Sequence, residues 1–139
     1  MSILVISRSE DKLIEQKKEI ETNFHATVRY LAYDYTDMGK AREEFYQKFN
    51  EECQMMDKDG GVGILINNVG IANQYPQRLM ELTDKECSDM INCNIDSTIF
   101  MTRAVLKFME PKDRGAIINL SSGSGNLPAP YISIYSATK

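Results

Sequence analysis

The sequence predicts an α/β fold built on a doubly wound parallel sheet, and three observations carry that prediction. Short apolar runs rich in β-branched residues alternate with longer amphipathic stretches of helical period. Glycine-rich or polar breaks separate them, with no repeat, low-complexity segment or internal linker. The apolar share of 42% suffices for a core, and 139 residues make one ordinary domain at most.

Each element follows from its own pattern. ILVIS, residues 3–7, is a continuous apolar run, as a strand buried on both faces requires. SEDKLIEQKKEIETNF then places Leu13, Ile20 and Phe24 near one helical face, with Ser9 as N-cap. TVRYLAYD, residues 27–34, reads as a second strand, and residues 40–52 as an amphipathic helix. KDGGVG breaks the chain before ILIN, residues 64–67, the third strand. Thr83 and Glu86 form a capping box that opens a long helix towards Phe108. AIINLS, residues 116–121, is a fourth strand, and a last helix begins near Ser133.

Composition argues against several function classes. A net charge of −4 and a pI of about 5.0 disfavour a nucleic-acid partner. No apolar run approaches the ~18 residues of a membrane span, and no signal peptide precedes Ile3. The three cysteines, Cys53, Cys87 and Cys93, show no C-x-x-C spacing and read as buried free thiols in a reducing compartment. His25 is the only histidine and lies between a helix and a strand, so Ser/His catalysis and histidine metal sites lack support. Asp57 and Asp59 read as a solvated loop rather than a metal site, and no metal is expected.

The polar residues fall where a ligand would meet them. Ser7 and Arg8 follow the first strand, Asp34 ends the second, Asn67 and Asn68 end the third, and Ser121 and Ser122 end the fourth. Open parallel sheets bind ligands outside the carboxyl ends of their strands, so these groups would share one crevice. Any one of them alone fits a turn or loop. The closing YSATK puts Tyr135 and Lys139 four apart, on one face of a helix. An ammonium close to a phenol favours its ionised form, which makes Tyr135 a candidate general acid. Y-x-x-x-K by itself fits a solvated helix face; with Ser122 upstream and Asn68 at a strand end it points to chemistry.

At these residues the chain resembles the short-chain dehydrogenase/reductase family. NNVG, residues 67–70, is similar to that family's N-N-A-G motif, and Asn94, Ser122, Tyr135 and Lys139 match its catalytic Asn-Ser-Tyr-Lys set in order and spacing. ISRSEDKL, the valine in NNVG, and AIINLSSGSGNLPAPYISIYSATK resemble the branch of very-long-chain 3-oxoacyl-CoA reductases and their 17-beta-hydroxysteroid dehydrogenase relatives. The resemblance implies an NADPH-dependent oxidoreductase that reduces a carbonyl on a lipid-like substrate, either a 3-oxoacyl-CoA or a 17-ketosteroid. Tyr135 would donate the proton and Ser122 would hold the substrate oxygen. Lys139 would support Tyr135 and bind the nicotinamide ribose, and Asn94, within the long helix, would hold a water linking Lys139 to solvent. Cofactor contacts would come from Ser7, Arg8, Asp34, Asn68, Gly70, Tyr135 and Lys139. Arg8, with hydroxyls on either side, suits the 2′-phosphate of NADP; Asp34 would meet the adenine, and Asn68 and Gly70 the adenosine ribose.

The chain departs from the family in one respect. A Rossmann-like fold holds the pyrophosphate on a glycine-rich turn after its first strand, in the family T-G-x-x-x-G-x-G. No such segment is present, and the first of the eight glycines is Gly39. The expected architecture is therefore an incomplete Rossmann-like sheet, with residues 1–139 a partial NAD(P)-binding domain that lacks the first strand and the C-terminal strands. In the family's order the absent strand lies between those at residues 3–7 and 64–67. Such a chain alone would not catalyse, and the alternative is a truncated non-catalytic remnant or interaction module. The complete enzyme could be a homo-oligomer. Members of this branch sit in the endoplasmic reticulum membrane through segments outside this stretch, which implies that localisation; these residues alone read as cytoplasmic.

Overall fold

The computed structural model describes residues 1–58 and 60–139, and these fall into two compact units, Met1–Val62 and Gly63–Lys139. Four strands form two two-stranded parallel sheets rather than one continuous sheet. This agrees with the sequence expectation of an incomplete sheet. Among the described residues no helix is long and apolar enough to cross a membrane.

The first unit is a β-α-β-α chain: β1 (Ser2–Ser7), α1 (Glu10–Phe24), β2 (Thr27–Ala32) and α2 (Lys40–Asp57). β1 and β2 pair in parallel from Ser2 opposite Thr27 to Ser7 opposite Ala32. β2 is shorter than its apolar pattern suggests because β1 ends at Ser7, whose carbonyl takes a last bond from Tyr33 N at 3.0 Å. Ser9 occupies the N-cap of α1, but its side chain makes no capping bond. Glu10 and Asp11 instead set negative charge at the positive end of the helix. His25 closes α1 in the left-handed region with φ 50°.

Leu13 is 2% exposed and Phe24 is 70% exposed, although both share one side of α1. Angular position buries a residue only where another element lies opposite, and Phe24 closes the last turn without one. α2 runs to Asp57, beyond the expected Glu52, because Cys53 prolongs the buried stripe of Phe45 and Phe49 by one more turn. Tyr33 stacks on Phe45 with centroids 4.0 Å apart and planes 7° apart. Arg29 Nη1 meets Glu52 Oε2 at 2.6 Å, tying β2 to α2. Burial first, and the Glu52 charge second, push the Cys53 thiol up to about 12, so it stays protonated. Asp57 ends α2 rather than lying in a loop, and the reading of Asp59 falls outside the described residues.

The second unit holds β3 (Ile64–Asn67), α3 (Asp84–Ile91), a π turn (Asn92–Asp96), α4 (Ser97–Met109), β4 (Ala116–Asn119) and α5 (Ser133–Thr138). β3 and β4 pair in parallel from Ile64 opposite Ala116 to Asn67 opposite Asn119. β4 stops before the expected Ser121 because its partner ends at Asn67, which accepts from Leu120 N at 2.9 Å. The capping box forms as expected: Glu86 N donates to Thr83 Oγ1 at 3.2 Å and Thr83 N to Glu86 Oε2 at 2.8 Å.

The long helix does not run unbroken to Phe108. Ser97 Oγ donates to the Cys93 carbonyl, Thr98 Oγ1 donates to the Asn94 carbonyl at 3.1 Å, and Ser97 N reaches back to Asn92 O. Two successive hydroxyls claiming carbonyls one turn back compete with the helical ladder and widen it. Such π turns are frequent at functional sites. Cys93 is buried and Cys87 half-buried, and neither they nor Cys53 form a disulfide.

Candidate active site

The site is assembled on α5. Lys139 N donates to Tyr135 O at 3.1 Å, so the helical turn continues through Lys139 and the two residues stand one turn apart, as their spacing predicts. Tyr135 is half-buried. Thr138 Oγ1 donates to Tyr135 O at 2.8 Å and accepts from Asn94 Nδ2 at 2.8 Å. One hydroxyl thus joins the tyrosine's own turn to the π turn.

Asn94 is 4% exposed and stands in the π turn, not in an uninterrupted helix. Its Oδ1 accepts from Ile71 N at 2.8 Å, and its Nδ2 donates to Ile71 O at 2.8 Å. The amide therefore pins the segment that follows β3 on one side and α5 on the other. Both Nδ2 donors are in use, so a water here would bind through the remaining capacity of Oδ1.

Gly70 lies against Lys139. A Cβ at position 70 would stand 2.9 Å from Lys139 Nζ and 3.4 Å from Asn94 Oδ1, too close for any other residue without displacement. Lys139 Nζ donates to Leu120 O at 3.1 Å. Gly125 has the same function behind the helix: a Cβ there would lie 2.7 Å from the Lys139 carbonyl carbon. Ser121 Oγ donates to Lys139 O at 2.7 Å, a second tie on the same residue. Ser122 caps the following turn: Ser124 N and Ser124 Oγ donate to its Oγ at 3.3 Å and 3.0 Å, which leaves the Ser122 O–H to donate elsewhere.

Other candidates are placed less closely. Asn68 is exposed beyond β3, whereas Asn67 points its amide at Asn119 Oδ1 (2.8 Å) and Thr102 Oγ1 (3.1 Å), locking the two strand ends to α4. Ser7, Arg8 and Asp34 belong to the first unit. Ser7 closes β1, Arg8 is exposed after it, and Asp34 Oδ1 accepts from Thr36 N at 3.0 Å and Thr36 Oγ1 at 2.9 Å. That carboxylate is engaged in its own turn, with its second oxygen left for a ligand.

Sequence reasoning did not single out Thr138, Gly125 or Asn73. Thr138 was visible inside YSATK, and Gly125 in the SSGSG run. Asn73 carried no signal. Its Oδ1 and Nδ2 are both buried without a hydrogen-bond partner, as is Ser136 Oγ beside Tyr135. Leaving a buried amide unpaired costs about 1–3 kcal/mol.

The donor set suits the nicotinamide ribose of a dinucleotide. Lys139 carries three donors, of which one reaches Leu120 O, and it faces a glycine that admits close approach. The pyrophosphate turn is not among these residues, since no glycine precedes Gly39.

Comparison with known proteins bears on the family and the fold. The family model for short chain dehydrogenase matches residues 1–139. The human very-long-chain 3-oxoacyl-CoA reductase is 40% identical over 100% of this chain and 42% of its own length. The 17-beta-hydroxysteroid dehydrogenase type 3 of Danio rerio is 37% identical over 100% of this chain and 43% of its own. In three dimensions, L-sorbose reductase from Gluconobacter frateurii, complexed with NADPH and L-sorbose, superimposes with a TM-score of 0.82 at 24% identity, over 99% of this chain and 49% of that one. The chain thus spans about two fifths of the length of these curated relatives, with the incomplete Rossmann-type arrangement its strands display. Its match along every residue means that the chain belongs to the short chain dehydrogenase family.

Proposed function

We propose that this chain carries the catalytic residues of an NADPH-dependent oxidoreductase that reduces a carbonyl to a hydroxyl on a lipid-like substrate, a 3-oxoacyl-CoA or a 17-ketosteroid. The observation that supports it most is the convergence of Asn94, Thr138, Lys139 and Gly70 around the turn that carries Tyr135. NADPH, when held there, would supply a hydride for the carbonyl carbon. Tyr135 gives its hydroxyl proton to the carbonyl oxygen, so the substrate gains one hydride and one proton and becomes an alcohol. Ser122 donates its O–H to the same oxygen, so negative charge develops against a fixed donor. Lys139 would hold the ribose hydroxyls with the donors that Leu120 O does not use. Asn94 acts as a positioning residue, holding Ile71 and α5 at one separation.

The preference for NADPH rests on Arg8, whose exposed guanidinium at the end of β1 suits a phosphate. In the full-length protein, Tyr135→Phe should lower kcat by about 10²–10⁴-fold while NADPH binding, followed by its fluorescence, stays nearly intact. Retention of more than about a tenth of the rate removes Tyr135 from the role of acid. Arg8→Ala should weaken NADPH use by about tenfold or more and leave NADH unchanged, since a hydrogen bond to a charged group contributes about 1.5–3 kcal/mol. An unchanged cofactor ratio defeats the NADPH assignment. A parent protein that binds neither dinucleotide is the non-catalytic alternative.

A further inference from the structure

The Asn94 amide can face only one way. Its Oδ1 accepts from Ile71 N and its Nδ2 donates to Ile71 O, each at 2.8 Å, so it pairs with that residue as a second backbone would. Turned over, it would set donor against donor and acceptor against acceptor. One Nδ2 proton is left, and it goes to Thr138 Oγ1 at 2.8 Å. A hydroxyl oxygen that accepts there still has its own proton to give, and Thr138 gives it to Tyr135 O at 2.8 Å. The bonds thus form one directed chain, from Ile71 through Asn94 and Thr138 to Tyr135. The last bond matters because the backbone ladder is divided at this turn. Lys139 N donates to Tyr135 O at 3.1 Å and to Ser136 O at 3.3 Å, both longer than the Thr138 bond. A threonine hydroxyl on the carbonyl three residues back selects one side-chain rotamer and orients that peptide.

We propose that Thr138 is a positioning residue, whose hydroxyl sets the turn carrying Tyr135 and Lys139 against the Asn94 amide. This rests on the reading of Tyr135 as the acid given above. Thr138 stands three residues after Tyr135 and immediately before Lys139, so a change in its bonding moves both. It touches neither substrate nor cofactor in this role. Asn94 is 4% exposed, and the proton it directs at Thr138 needs an acceptor fixed in the protein. Serine offers the same hydroxyl, whereas valine keeps the shape of threonine and offers neither donor nor acceptor.

The test follows NADPH oxidation by the full-length protein with a 3-oxoacyl thioester and a 17-ketosteroid. Thr138→Val should lower kcat by about 10–100-fold, with KM and the NADPH dissociation constant changed by less than about threefold. Thr138→Ser should return kcat to within about threefold of the parent. Thr138→Cys, a weak donor and acceptor, should fall between, and it reads the loss if the valine variant does not fold. Thr102→Val is the control, because Thr102 Oγ1 also accepts from an asparagine amide, that of Asn67, at 3.1 Å. Both valine variants should lower the unfolding midpoint, but Thr102→Val should keep its kcat. Added to Asn94→Ala, Thr138→Val should cost less than about threefold more, since the two act through one chain of bonds. The assignment is overturned by an equal kcat loss in Thr102→Val, by no recovery in Thr138→Ser, by a loss in KM or NADPH affinity instead of kcat, or by additive losses. Each of those leaves the proposed oxidoreductase intact, because the parent still turns over. Failure of the parent to oxidise NADPH with either ketone overturns both readings.

Discussion

The two compact units stabilise themselves by different means. The first packs aromatic and aliphatic side chains: Tyr33 on Phe45, with Phe49, Cys53, Leu13 and Val28 all buried. The second fills its interior with Met90, Cys93, Met101, Val105 and Met109, and buries Asn94 and Ser97 among them. Those are the only buried polar residues among the described ones, and both lie at the π turn. Methionine adapts its shape to irregular spaces, whereas a hydrogen-bonded amide permits one arrangement. The lesson is a division of labour within one chain. Apolar contact holds the first unit together, while in the second directional bonds from Asn94 tie Ile71 and α5 to the π turn.

The strand surfaces differ in the same way. Every residue of β1 is half-buried, but Ile64, Ile66 and Ile118 stand 62%, 58% and 46% exposed on one face of the β3–β4 pair. In a parallel pair residues in register share a face, so these three side chains form one apolar surface. Sheets of this class are covered on both faces in a finished domain, which accords with a chain that spans about half of its structural neighbours.

The comparison breaks most sharply at Phe45. Phe45→Ala removes a ring that is 4% exposed and stacked on Tyr33, and should cost about 3–5 kcal/mol in denaturant unfolding of the full-length protein. A loss below about 1 kcal/mol would mean that the aromatic cluster does not hold the first unit. Asn94→Ala should cost less stability, about 1–3 kcal/mol, because it strands the Ile71 N–H and carbonyl. Its effect on turnover should be larger, near 10²-fold in kcat, since small displacements of positioned groups cost rates of that order. Equal proportional effects at both residues would erase the distinction between packing and positioning.

The smallest expected effect is at the surface of the second unit. Hydrogen bonds from Thr83 N and then Thr83 Oγ1 hold the Glu86 carboxyl below its usual value. A carboxyl with a lowered folded-state pKa contributes stability above its unfolded pKa of about 4.3, and loses it as pH falls through the folded value. Glu86→Ala should therefore be slightly less stable than the parent near pH 7, with the gap in Tm closing on acidification through the carboxylate range. A gap independent of pH would show that the charge of Glu86 has no part in the cap.

Much of this protein was legible in one dimension. β-branched runs and helical periods place all four strands and the helices within a few residues, because backbone propensity and amphipathic period act locally. The four-residue spacing of Tyr135 and Lys139 likewise needs nothing beyond helical geometry. Where local pattern failed, a partner decided: β2 and β4 stop early because β1 and β3 do, and Phe24 is exposed because nothing faces it. The π turn depends on hydroxyls at Ser97 and Thr98 reaching carbonyls that only a folded turn presents. The unpaired Asn73 amide, and the close approach of Lys139 to Gly70 and Gly125, are decided by what neighbours in space. Sequence determines the short-range geometry of each element, while packing and hydrogen-bond satisfaction are properties of neighbours distant in the chain, and those only the tertiary structure supplies.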